Sequence, residues 1–211
     1  ELKSKDEKIL LEIPEFSVYD TAMIWIEKLN TLKVDNFISL ADYYKINPDN
    51  IPLAIPVNIK FNLNENQANM NGLGIYKLNQ KKWDWEYQLT KHLLPNYITS
   101  ELNELGIVTL LQDTIPPTIT PRFPMDSESY KYSEIDFIYC FLDDNLSGIM
   151  LEEGGLHIIL DGISIFPEYQ PILKKLSYSI NKPLTVGNHI IQYSAKDYAG
   201  NISQKTINFN V

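Results

Sequence analysis

The chain has 211 residues, 44% of them hydrophobic and 21% charged, a balance ordinary for globular proteins and a length that holds one large core or two of roughly 100 residues each. The formal charge is −9, divided −5 and −4 about Asp113, with no Lys/Arg cluster, which argues against nucleic acid and anionic lipid as partners. No run is apolar for long enough to cross a bilayer, and one cysteine, Cys140, forbids an intrachain disulfide.

Residue 1 is Glu, not Met, and no charged-then-apolar leader precedes the first strand-like segment, so the sequence reads as a processed product or an excised fragment, compatible with prior removal of a signal peptide. Runs rich in β-branched and aromatic residues then recur at 9–13, 22–26, 37–46, 55–63, 74–78, 83–87 and 107–111, and each reads as a strand. Turn-forming stretches such as Asn47-Pro48-Asp49-Asn50 separate them. The runs at 74–78 and 83–87 form an expected hairpin with Trp83 and Trp85 on one strand face, and 97–105 has the spacing of a short helical turn.

Asp113-Thr114-Ile115-Pro116-Pro117-Thr118-Ile119 is the strongest punctuation in the chain. Two consecutive prolines fix φ and remove two amide donors directly after an apolar run, so a strand ends there and a short stiff connector follows. This sets domains at 1–113 and 114–211. Beyond it, strands are expected at 135–142, 156–160, 162–166, 172–180, 189–195 and 203–211. Asp161-Gly162 between two apolar runs signals a hairpin, and the alternation around Tyr193 puts Ile191, Tyr193 and Ala195 on one inward face. The expected fold class is therefore all-β, with two tandem β-sandwich domains.

Four segments of the second half, Asp144-Asn145-Leu146-Ser147-Gly148-Ile149, Leu160-Asp161-Gly162, 184–191 and Ala195-Lys196-Asp197-Tyr198-Ala199-Gly200-Asn201, occur in the order seen in bacterial immunoglobulin-like repeats. Residues 114–211 resemble those repeats over nearly their whole length. The first half is similar to the ZU5-like β modules that stand beside such repeats in envelope proteins, including M23-type metallopeptidases. That likeness rests on Ser17-Val18-Tyr19-Asp20, Tyr44-Lys45-Ile46, Ile55-Pro56-Val57-Asn58-Ile59, Gly74-Ile75-Tyr76, Trp83 and Leu105-Gly106-Ile107. The resemblance implies immunoglobulin-like sandwiches in an extracytoplasmic accessory segment, without the zinc-binding peptidase itself.

Catalytic residues are not expected. His92, His157 and His189 stand far apart in no metal-binding spacing, and neither a nucleophile elbow nor a phosphate loop is present. Adjacent strand residues point to opposite faces, which keeps Asp143 and Asp144 from sharing one substrate. Calcium is the one ion the sequence suggests: Asp113, Asp143, Asp144, Asp197 and Asn201 offer hard oxygen ligands from loops and strand ends. Asp and Asn in such loops more commonly cap turns. Trp83 and Trp85 are the candidate glycan-stacking pair, set against the commoner role of strand aromatics as core. The expected function is that of non-catalytic structural or interaction modules of a cell-envelope or secreted protein. Its partners would be protein or cell-wall glycan, and the alternative is a carbohydrate-binding or adhesion module.

Overall fold

Side chains alternate across an extended backbone, so a strand with every second residue apolar buries one face, and two such sheets bury their apolar faces against each other. The computed structural model describes every residue except Thr31, 33–36, Ile38 and 94–95. It is all-β and divides into two units, Glu1–Thr114 and Ile115–Val211, with the division inside the proline-punctuated segment.

In the first unit the strands are β1 (Leu2–Lys3), β2 (Ile9–Glu12), β3 (Trp25–Leu29), β4 (Tyr43–Asn47), β5 (Pro52–Asn62), β6 (Leu73–Asn79), β7 (Asp84–Gln88), β8 (Lys91–Leu93), β9 (Tyr97–Glu104) and β10 (Ile107–Gln112). One sheet runs β1-β2-β5-β9-β8 and the other β3-β4-β10-β6-β7, with every pairing antiparallel. Val57, Ile59 and Phe61 of β5, Ile98 and Leu102 of β9, and Val108 and Leu110 of β10 meet in the core between them. Each such side chain contributes roughly 1.5–3 kcal/mol by leaving water. Part of the strand expected at 37–46 lies outside the described residues.

A single helical turn, α1 (Glu65–Ala68), follows β5 because Asn64 and Gln67 cap it reciprocally: the Asn64 side chain accepts from the Gln67 amide, and the Gln67 side chain accepts from the Asn64 amide. The segment expected to be helical at 97–105 is instead β9. Ile98 and Leu102 are four apart, a spacing that suits a helix of period 3.6 and a strand of period 2 equally. Pairing with β5, from Val57 opposite Leu102 to Asn62 opposite Tyr97, decides for the strand.

The second unit contains β11 (Thr118–Phe123), β12 (Phe137–Asp143), β13 (Leu156–Leu160), β14 (Ile163–Ile165), β15 (Glu168–Gln170), β16 (Lys175–Ser179), β17 (Asn188–Lys196) and β18 (Ile202–Asn210). Its sheets run β11-β12-β16-β15 and β14-β13-β17-β18, again antiparallel throughout. β11 was not expected, since Pro121 interrupts its sequence; proline is tolerated there because β11 is an edge strand with irregular register between Pro121 and Phe123. The predicted strand at 172–180 opens instead with a 3-10 turn at Pro171–Leu173, and β16 begins only after Lys174.

The Asp161-Gly162 hairpin forms between β13 and β14 with φ of 51° and 80°, the doubly positive geometry of a tight turn that matches strand twist. Ile191, Tyr193 and Ala195 do share the buried face of β17. Cys140 lies in the same core, where burial pushes its thiol up to about 12 and leaves it inert at neutral pH.

Candidate cation site and aromatic surfaces

Two acidic turns of the second unit come together. At the end of β12, the Asp144 carboxylate turns back and accepts hydrogen bonds from the Leu146 amide at 3.1 Å and the Gly148 amide at 2.7 Å. At the β17–β18 connection, Asp197 is fully buried. One of its oxygens accepts from the Asn201 amide and the other from the Asn201 side-chain nitrogen, both at 2.8 Å. The loops are tied directly: Ile149 bridges Asp197, the Tyr198 amide donates to the Gly148 carbonyl, and the Ala199 amide donates to Ser147 Oγ. Carboxylate oxygens of Asp144 and Asp197 thus lie within 4.8 Å of each other.

Two like charges this close repel more strongly as water is excluded, and a bound divalent cation or a proton relieves them. Hard carboxylate oxygens of this kind suit calcium rather than zinc, although calcium takes six to eight oxygens and two carboxylates supply only part of that shell. Asn201 belongs to the same turn, its side-chain nitrogen being committed to Asp197.

Asp143, the last residue of β12, is exposed and pairs with Lys174, whereas Asp144 lies in the turn beyond the strand. It faces outward with Phe137, Tyr139 and Phe141 and is engaged by Lys174, while the turn that follows carries Asp144 to the loop amides. Asp113 closes the first unit, where it is buried and its amide donates to the Gly72 carbonyl at 2.9 Å.

The tryptophan pair does not form a common face. Trp83 occupies the turn before β7 with φ of 56° and is 50% exposed, whereas Trp85 is 5% exposed and stacks on Tyr43 with ring centroids 5.9 Å apart. The turn between β6 and β7 runs one residue further than the sequence indicated, so the indoles are not an i, i+2 pair on one strand. Trp85, opposite Leu78, belongs to the packed side of the hairpin.

A different aromatic surface was passed over in the sequence. Within β12, Ile138, Cys140 and Leu142 point into the core, while Phe137, Tyr139 and Phe141 point out. The signal was the separation of aromatics at odd positions from aliphatics and Cys at even ones, hidden because the run looks uniformly apolar.

Of the three histidines, His189 is held by packing. His189 Nδ1 lies 2.6 Å from an Asp161 oxygen and its Nε2 2.8 Å from the Thr185 carbonyl, and its ring stacks on Phe209. Burial lowers its proton affinity, but the carboxylate and carbonyl outweigh that and leave its pKa raised. His157 is exposed beside Ser164 at 3.4 Å, and His92 is exposed on β8. No family model matches the chain, and no curated protein matches its sequence.

Proposed function

We propose that this chain consists of two non-catalytic β-sandwich modules that act as structural or interaction segments of a bacterial cell-envelope or secreted protein, with a peptidoglycan metallopeptidase as one fitting parent. The observation that carries this reading is the employment of the chemically capable side chains. His189 is held between Asp161 and Thr185, Cys140 is sealed in a core, and the neighbouring acids Asp143 and Asp144 are engaged separately, by Lys174 and by loop amides. The ordered motifs from Asp144 to Asn201, which resemble bacterial immunoglobulin-like repeats, support the extracytoplasmic setting.

Two measurements test it. Incubating the purified chain with peptidoglycan sacculi should release no soluble muropeptides; release would overturn the non-catalytic reading. Reading the gene upstream of the Glu1 codon should reveal an export signal together with a catalytic or anchoring domain. A cytoplasmic enzyme in its place would overturn the proposed setting. The alternative, a carbohydrate-binding or adhesion module, is favoured by one observation, the outward aromatic row of β12.

A further inference from the structure

The outward face of the sheet β11-β12-β16-β15 breaks the usual rule that the solvent side of an antiparallel sheet is polar. Phe137 is 39% exposed and Phe141 37%, although β12 is an interior strand paired on both sides. The rings form a continuous row: Phe123 to Phe137 at 5.0 Å, Phe137 to Tyr139 at 5.7 Å and 28° between planes, and Tyr139 to Phe141 at 6.0 Å. Apolar area left together on a surface marks a place of contact.

The flanks of the row are polar, and directly opposed residues of paired strands share a face. Thr120 stands opposite Phe141 on β11 and Thr118 opposite Asp143, while on β16 Lys175, Ser177 and Ser179 stand opposite Phe141, Tyr139 and Phe137. Arg122, the chain's single arginine, places its guanidinium carbon 5.5 Å from the Phe141 ring centre, and Lys175 Nζ lies 4.7 Å from that of Tyr139. At the Phe141 end a cleft of about 430 Å³ opens, lined by Thr118, Thr120, Arg122, Phe141, Asp143 and Lys174 among others. Its volume falls within the ~300–1,000 Å³ range of small-ligand sites.

Charge separates the possible occupants. The second unit carries −4 overall, and on this face Lys174 is paired with Asp143, while Asp144 and Glu168 add further negative charge nearby. Arg122 and Lys175, however, stand directly beside the rings and join no ion pair among the described residues, so the row itself is bordered by two cations, which suits an acidic ligand. A peptide bound by strand addition needs free backbone groups, which in this sheet lie at the edges β11 and β15 and not along the row, since those of β12 are engaged by two neighbours. What the face presents is flat rings for stacking, hydroxyls for hydrogen bonding, and a guanidinium whose planar fork matches a carboxylate in bidentate fashion.

The geometry points to a binding site on this face for a glycan bearing carboxylate groups. The row of rings takes the apolar faces of successive sugars, and Arg122 and Lys175, one strand to either side of β12 and so about 10 Å apart, take the carboxylates. The inference rests on the reading of this chain as a non-catalytic interaction module and names the partner class of that module.

The test is isothermal titration of the whole chain against a panel of oligogalacturonate, peptide-free peptidoglycan strands with intact lactyl carboxylates, their carboxyl-reduced counterparts, and polyglutamate. Binding to at least one carboxylated glycan is expected, with at least tenfold loss on carboxyl reduction and at least tenfold loss in each of Phe141→Ala and Arg122→Gln. Arg122→Gln changes only an exposed side chain and guards against misfolding of the other variant, with melting midpoints as the control. Absence of binding across the panel, or binding unchanged in both variants, overturns the site. Equal affinity for polyglutamate overturns it in favour of an acidic protein partner, and a dimer dissociated by Phe141→Ala overturns it in favour of self-association. Release of soluble sugar from the same panel would instead sink the non-catalytic reading, so the two failures are told apart.

Discussion

The two units solve the same packing problem with opposite electrostatics. In the first, the fixed charge is a carboxylate: Asp6 accepts from Ser4 Oγ at 2.7 Å, from the Tyr44 hydroxyl at 2.9 Å and from Lys28 Nζ at 3.2 Å. Burial alone would raise its pKa, but these donors hold it down at about 2. In the second, the corresponding fastening is the His189–Asp161 pair, whose proton is held more tightly than in free imidazole. One sandwich is fastened by a group that must be ionised and the other by a group that must be protonated, so acid loosens the first and base the second.

The largest single effect should come from backbone geometry. Gly72 has φ of 73°, and a Cβ there would stand 2.0 Å from the Asp113 carbonyl oxygen. Gly72→Ala therefore combines left-handed strain with a backbone clash and should destabilise by about 3 kcal/mol or more in urea titration. Gly162, at φ 80° in the Asp161-Gly162 turn, meets nothing, and Gly162→Ala should lose only about 1 kcal/mol. Equal losses at the two positions would show that crowding at Gly72 is relieved elsewhere.

Asp144→Ala removes the acceptor of the Leu146 and Gly148 amides, and about 1–2 kcal/mol should be lost. Chelation bears on the same pair. A fall of several degrees in the melting midpoint of the unaltered protein on adding EDTA, absent in Asp144→Ala, assigns a cation to Asp144 and Asp197; an unchanged midpoint leaves them as turn clamps.

The pH comparison gives the next effects. Because the folded-state pKa of Asp6 is depressed, its contribution is present above the unfolded value near 3.8 and is lost as pH falls from about 4 to 2. Asp6→Asn should lower stability by about 1–2 kcal/mol at pH 7, an amount reduced for the partial exposure of Asp6, and should differ little from the unaltered protein near pH 2. The His189 contribution has the reverse sign. Its raised pKa stabilises the fold fully below about 6.5 and is lost as pH rises through the folded value. Asp161→Asn, which keeps an acceptor for the Ile190 amide, should lose about 1 kcal/mol at pH 5.5 and less at pH 8.5. A loss that does not change with pH would detach the proton from the pair.

The alternating strands and the turns with Asp, Gly and Pro were legible in the sequence because both signals are local. Ile191, Tyr193 and Ala195 declare their face by period 2 alone, and Asp161-Gly162 declares its hairpin by the φ it requires. What sequence could not supply was the partner. Residues 97–104 satisfy two periods until β5 lies alongside them, and β11 is acceptable with Pro121 because no strand among the described residues pairs with its outer edge. Of the acidic candidates, Asp144, Asp197 and Asn201 meet because two loops are tied together by Ile149, Gly148 and Ser147. The exposure of Phe137 and Phe141 and the burial of Trp85 depend on which sheet face meets the core, and composition gives no hint of that.

The smallest effect sharpens this point about faces. Asp143 and Asp144 are neighbours of identical chemistry, yet β12 sends the first outward to an exposed ion pair with Lys174 and the chain then turns the second back into hydrogen-bonded loops. An exposed pair gains little, since solvent screens both partners and two long side chains lose freedom to meet. Asp143→Asn should therefore change stability by no more than about 0.5 kcal/mol, and that residue should vanish in high salt, as Debye screening predicts. A loss at Asp143 as large as at Asp144, undiminished by salt, would mean that the outer face of this sheet is drier than an open surface, as it would be with a partner seated over Phe141.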